Sequence, residues 1–170
     1  SGKPAGVACT SIEHPCVAEP VRALGRAGWA VSEVAVNESG VVDMPGLLAL
    51  PEQTRLLSVM SANNETGVLQ PVAQLAGQFK ADRDPACCFH TDAVQAFGKH
   101  PLSFRQLNAA GVDALTLSAH KIGGPKGSAA LVRDRQLPLM PLVYGGGQEQ
   151  GLRSGTENVA AIVGFGVACA

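Results

Sequence analysis

The chain has 170 residues, a net charge of −1 and a hydrophobic fraction of 46%. That length suits one domain whose core needs no disulfide or metal support. The near-neutral balance gives no electrostatic footprint for nucleic acid or an anionic membrane, and no apolar run approaches the roughly 20 residues that span a bilayer.

Val7 to Ile12 is predicted as a buried strand. Cys16 to Gly28 follows as a helix, with Val17, Val21 and Leu24 on one face. Trp29 to Val36 is a second strand, less uniformly apolar and so nearer an edge. Asp43 to Leu50 reads as a short helix and Arg55 to Ser61 as a third strand. Pro71 occupies a first helical position, where a missing N–H is harmless, and that helix runs to about Lys80. Ala86 to His90 is a fourth strand, Ser103 to Asn108 a short helix, and Asp113 to Ser118 a fifth strand. Ser128 to Arg133 is a sixth, joined to the fifth by a Gly- and Pro-rich turn and expected to pair closely with it. Asn158 to Ala170 reads as a helix with no stop signal. Strands spaced by helices predict an α/β fold: a three-layer, mostly parallel sheet with helices on both faces. One domain over residues 1–170 is expected, incomplete at both ends, as the middle of a longer protein.

Five cysteines are present, an odd number with no CxxC spacing. That argues against a disulfide framework or a zinc site and fits a reducing cytosol. The segment Ser1 to Gly6 does not read as a signal peptide.

Polar clusters fall at the strand ends. Glu13 and His14 follow the first strand, Asn63 to Gly67 the third, Asp92 and Gln95 the fourth, and His120 with Lys121 the fifth. Ligands of open α/β sheets bind outside the carboxyl ends of the strands, so these groups are expected to converge on one rim.

The fifth strand runs directly into Ala119, His120 and Lys121, and the turn Gly123-Gly124-Pro125-Lys126-Gly127 comes next. An amine at the end of a buried strand is expected to be partly desolvated, which favours its neutral form. A neutral amine forms a Schiff base with an aldehyde cofactor. Taken alone, the same segment also describes a surface lysine. Asp92 lies about 30 residues earlier; an enzyme using pyridoxal 5'-phosphate (PLP) needs a carboxylate against the pyridine nitrogen. Taken alone, Asp92 is better read as a helix N-cap. His90 and Asp92 form an H-x-D pattern, but no third and fourth ligand stand at useful spacing, so no metal is assigned. Cys87 and Cys88 read as buried structural thiols.

Five segments together are more specific. They are Ser11-Ile12-Glu13-His14-Pro15, Ala62 to Gly67, His90 to Lys99, Ser118 to Gly127, and Gly145 to Asn158. In order and spacing they resemble class V of the fold-type I PLP enzymes. Within it they resemble the cysteine desulfurases of nitrogen fixation and iron–sulfur cluster assembly.

The resemblance implies roles. Lys121 would bind the cofactor aldehyde and later move the substrate α-proton. His14 would stack on the pyridine ring and serve in proton transfer. Asp92 would pair with the ring nitrogen and Gln95 with the phenolic oxygen. Ser118 and His120 would bind the phosphate. Asn64 would touch the phenolic oxygen or the substrate carboxylate, and Glu65 would hold its loop. Thr156 would reach the phosphate of a partner subunit's cofactor, which implies a homodimer. The parent enzyme would convert L-cysteine to L-alanine and pass the sulfur, as a persulfide, to an acceptor or scaffold protein in the cytoplasm.

Two expected parts have no counterpart here: an upstream Gly/Thr-rich phosphate-binding turn, and a downstream loop cysteine with a substrate-binding arginine. The chain alone is therefore expected to be inactive. Alternatives are a related class V aminotransferase, a selenocysteine lyase, or an inert PLP-domain fragment. A Cys/His hydrolase built on His14 and Cys16 lacks an orienting third group.

Overall fold

Short β-forming runs alternate with amphipathic segments, and this alternation sets the layers. The computed structural model describes residues 5–81 and 83–170. The strands are β1 (Gly6–Thr10), β2 (Ala30–Val34), β3 (Thr54–Ser58), β4 (Cys88–Asp92), β5 (Ala114–Ser118) and β6 (Ala129–Arg133). The helices are α1 (Pro15–Arg26), α2 (Met44–Leu48), α3 (Val72–Ala81), α4 (Phe104–Ala109) and α5 (Val159–Ala168).

The strands form one six-stranded sheet in the order β2-β1-β3-β4-β5-β6. Neighbours from β2 to β5 are parallel, and β6 runs antiparallel to β5. As expected, β2 lies at an edge. β6, the other edge, pairs directly with the strand before its turn.

Side chains alternate along a strand, so the register separates two faces. Ala8, Leu57 and Phe89 stand in line on one face. They pack with Leu47 of α2 and Leu75, Ala76 and Phe79 of α3. Phe79 and Phe89 meet edge-on with ring centroids 6.0 Å apart, the geometry favoured by the ring quadrupole. The same face continues at Leu115 and Leu117, covered by Phe165 of α5 and by Phe104. On the opposite face α1 lays Val17, Val21 and Leu24 over Val7, Cys9 and Leu56.

Element boundaries differ from the sequence expectation where a side chain intervenes. α1 begins at Pro15 rather than Cys16, because His14 takes the N-cap position and the proline occupies the first turn. β4 begins at Cys88 rather than Ala86. Asp84 draws the preceding residues into a turn, with Ala86 N–H donating to its side chain at 2.9 Å and Cys87 N–H to its carbonyl at 2.8 Å. At the other end, register with Thr116 keeps Asp92 inside β4 rather than after it.

Candidate active site

The parallel run of β1, β3, β4 and β5 brings their carboxyl ends to one rim. On the α1 side of the sheet, β3 to β5 carry a polar row in place of the aliphatic pattern. Ser58 is in register with His90, and Asp92 with Thr116; Ser118 lies two residues beyond Thr116 and so on the same face. The Ser58 Oγ and His90 Nδ1 atoms lie 2.8 Å apart. Burial pushes the His90 imidazole below its ordinary range, opposed in part by the Asp92 carboxylate.

α1 delivers His14 to this rim. Its Nδ1 accepts the Cys16 N–H at 3.2 Å, capping the helix. The cap role is real, and among the described residues the other ring nitrogen has no hydrogen bond, which leaves it for a second task. It also requires an unprotonated Nδ1, so the neutral ring carries its hydrogen on Nε2. Cys16, in the first turn of α1, places its Sγ 3.8 Å from Asp92 Oδ2. That contact brings the helix N-terminus over the end of β4, and His14 and Asp92 therefore share one corner. Asp92 also meets its alternative reading: Oδ1 accepts the Val94 N–H at 2.9 Å and caps the turn after β4. Asp92 is 5% exposed, and Oδ2 meets only the weak thiol donor among the described residues. Burial and the adjacent carboxylate push the Cys16 thiol up.

The structure assigns loop-holding to residues other than Glu65. Among the described residues Glu65 offers only its backbone N–H, at 3.0 Å to Asn63 Oδ1. Asn63 Oδ1 also accepts from the Thr66 N–H and hydroxyl, while its Nδ2 donates 3.1 Å to the Ile12 carbonyl. Glu13 makes a second tie: its Oε1 accepts the Thr10 hydroxyl at 2.7 Å and the Met60 N–H at 2.6 Å. Burial raises its carboxyl from 4.5 to about 7, against the lowering effect of those two hydrogen bonds. The two ties fasten the loop bearing His14 to the turn bearing Asn64. A carboxylate and an amide beside the expected functional residues were visible in sequence, but their inward orientation was not.

A cavity of about 370 Å³ is lined by Glu13, His14, Asn63 and Asn64 among others. A second, of about 490 Å³, is shared by Asn64 and Gln95. Gln95 is half-buried and its Oε1 accepts from Lys99 Nζ at 3.1 Å. At the end of β5, Ser118 Oγ and His120 Nδ1 are 2.7 Å apart. Lys121 follows in a 3-10 turn over Ala119–Ile122, closed by Gly123 at φ 84°, a backbone state that glycine adopts without strain.

One expectation needs adjustment. Lys121 is exposed, not partly desolvated, because it sits on the turn beyond the strand rather than in the strand's buried end. Thr156 is exposed on the loop before α5. Asn158 caps α5, its side chain accepting from the Ala161 N–H at 3.1 Å.

The family model for aminotransferase class V matches residues 3–170. The chain belongs to the class V aminotransferase family. A cysteine desulfurase of Enterobacter agglomerans is 46% identical over 161 residues, covering 94% of this chain and 39% of that protein. A mitochondrial cysteine desulfurase of Arabidopsis thaliana is 46% identical over 166 residues, covering 96% of this chain and 35% of its own length. Among solved structures, a NifS-like protein superposes with TM-score 0.92 at 42% identity, over 98% of this chain and 45% of that one. A structure of SspA in complex with cysteine superposes with TM-score 0.87 at 38% identity, over 99% of this chain and 48% of that one. The chain thus spans less than half the length of these class V relatives.

Proposed function

We propose that this class V chain is the cofactor-holding core of a PLP-dependent cysteine desulfurase, which converts L-cysteine to L-alanine and passes the sulfur on as a persulfide. The observation that carries the reading is the Asp92 carboxylate. It is buried at the end of β4, with Oδ2 offered no N–H or O–H donor among the described residues, one strand away from the turn that bears Lys121. A protonated pyridine nitrogen is the donor such an oxygen lacks. The surrounding donor set suits the rest of the cofactor. Asn64 and Gln95 offer amides for the phenolic oxygen, Ser118 and His120 a hydroxyl and an imidazole for the phosphate, and Lys121 an amine for the aldehyde.

When bound, PLP supplies a covalent anchor for an amino group and an electron-withdrawing ring. The chain's residues supply the remainder. Asp92 keeps the ring nitrogen protonated through a charge-assisted hydrogen bond. His14, held by its helix-capping bond, presents a ring face for stacking and an Nε2 atom for proton transfer. Lys121, on an exposed turn, carries a proton to and from the substrate α-carbon. Thr156 and the loop around it extend the reading to a homodimer, with Thr156 at the partner's phosphate. A sulfur-accepting protein completes the proposed reaction. A cytosolic location is part of this reading; imaging of a tagged protein tests it against the mitochondrial location in the name of the Arabidopsis relative.

The test is to give L-cysteine and a reductant to the full-length protein containing this chain. Alanine and sulfide in equal amounts support the proposal, and keto-acid formation refutes it. Borohydride reduction in the presence of PLP, followed by peptide mapping, should place the label on Lys121.

A further inference from the structure

Glu13 is the buried carboxyl that the reaction scheme above leaves unused. It is 9% exposed, it lies between β1 and α1, and its Oε2 is buried without a hydrogen-bond partner among the described residues. Its Oε1 bridges two elements. It takes the Thr10 hydroxyl from its own strand end and the Met60 N–H from the segment beyond β3, at 2.7 and 2.6 Å. Thr10 is itself 1% exposed, so the bridge is shielded from water at both ends. Water therefore competes poorly for these bonds, and losing one leaves a buried donor unsatisfied.

The bridge is placed to control the rim. His14 is the next residue after Glu13. Met60 is followed by Ser61, whose N–H donates 2.8 Å to the Asp92 carbonyl. Asn63 returns a bond of 3.1 Å to Ile12, the residue before Glu13. One carboxyl thus connects the segments that bear His14, Asn64 and Asp92.

We propose that Glu13 is a positioning residue, whose hydrogen-bond bridge from Thr10 to Met60 sets the separation of His14, Asn64 and Asp92 and thereby the affinity of the site for PLP. The role is carried by hydrogen-bond acceptance at Oε1, not by negative charge. A buried, neutral carboxyl serves it, and an amide oxygen serves it as well. This assignment rests on the PLP reading, and the experiment separates the two.

The experiment measures PLP affinity of the full-length protein at pH 7 by visible absorbance, for wild type and for Glu13→Gln, Thr10→Val and Glu13→Ala. Circular dichroism and melting temperature of the same samples without PLP report folding. Glu13→Gln should bind PLP within about threefold of wild type. Thr10→Val removes one arm of the bridge with little change in volume and should weaken binding about fivefold, in line with a hydrogen bond worth about 1 kcal/mol. Glu13→Ala removes both arms and should weaken binding at least tenfold with its circular dichroism intact. Should the alanine variant fail to fold, the other two variants decide. Unchanged affinity in Thr10→Val, or in a folded Glu13→Ala, overturns the proposal, even if melting temperatures fall. Glu13→Gln weakened as much as the alanine variant also overturns it, because charge is then the active property. Failure of the wild-type protein to bind PLP refutes the cofactor reading instead and with it the premise of the bridge.

Discussion

Glu13 also predicts how stability depends on pH, and the perturbation is the single substitution Glu13→Gln. In the folded chain its carboxyl is raised from 4.5 to about 7, chiefly by burial. The folded state therefore holds a proton that the unfolded state has already released across that interval. Its stabilising effect is complete below about pH 4.5, declines as pH rises and is gone once pH exceeds about 7. The interval corresponds to about 3 kcal/mol of unfolding free energy. Asp92 adds to the rise, and ionised Glu13 in turn raises the thiols of Cys9 and Cys16. His90 acts with the opposite sign. Its imidazole is held below 6.5 by burial, so its contribution grows as pH rises toward that value. The two slopes overlap, and wild-type data alone would show their sum. The assay is therefore a difference: urea unfolding of the apoprotein, wild type against Glu13→Gln, at pH 5 and pH 8. Glutamine mimics the protonated acid, so the pair should differ little at pH 5. At pH 8 the glutamine variant should be the more stable by up to about 3 kcal/mol. A difference that moves by less than about 1 kcal/mol between the two pH values refutes the buried, proton-holding state of Glu13.

Other predictions address the rest of the site and the core. Lys121→Ala should lose the borohydride-fixed PLP adduct while keeping the melting temperature within about 1 °C, since exposed substitutions usually change stability by less than about 0.5 kcal/mol; adduct formation elsewhere in that variant would discard Lys121. Cys16 should be alkylated by iodoacetamide more slowly at pH 8 than a free model thiol, because burial and Asp92 disfavour its thiolate. Asp92→Asn should speed that alkylation, and equal rates in the two proteins would mean that the Cys16–Asp92 contact does not form in solution. Leu57 is 0% exposed at the centre of the sheet, so Leu57→Ala should cost about 3 kcal/mol in urea unfolding.

The layers were legible because burial and chain direction leave a strong pattern. Runs such as Ala114 to Ser118 are short, apolar and bounded by turns, and parallel strands between helices require crossovers. The hydrophobic period also identified the inner face of α1 correctly, at Val17, Val21 and Leu24. Boundaries were less legible where one side chain redirected the backbone, as Asp84 did before β4 and His14 did before α1. The site was legible as a set of strand ends, since strand order alone sends His14, Asn64, Asp92 and Ser118 to one rim. The solvation of Lys121 was not. It depends on whether the lysine lies within the strand or on the turn after it, and a difference of three residues from Ser118 moves the amine from a buried strand to an exposed turn.

Glu13 and Glu65 show where such reasoning must stop without coordinates. Both are carboxylates beside an expected functional residue, His14 in one case and Asn64 in the other, and composition cannot rank them. Their difference is topological. Glu13 leaves a buried strand and turns inward to accept the backbone N–H of Met60, where desolvation makes each hydrogen bond consequential. Glu65 sits in a solvent-facing turn held by Asn63, and its carboxylate makes no hydrogen bond among the described residues. The inward carboxyl incurs a desolvation cost that an outward one avoids. In the positioning role proposed for Glu13, that cost is offset by the geometry the bridge imposes. Here that geometry is the spacing of the imidazole, amide and carboxylate around the rim, and this is why the affinity of the Thr10→Val variant for PLP, more than its stability, bears on what Glu13 does.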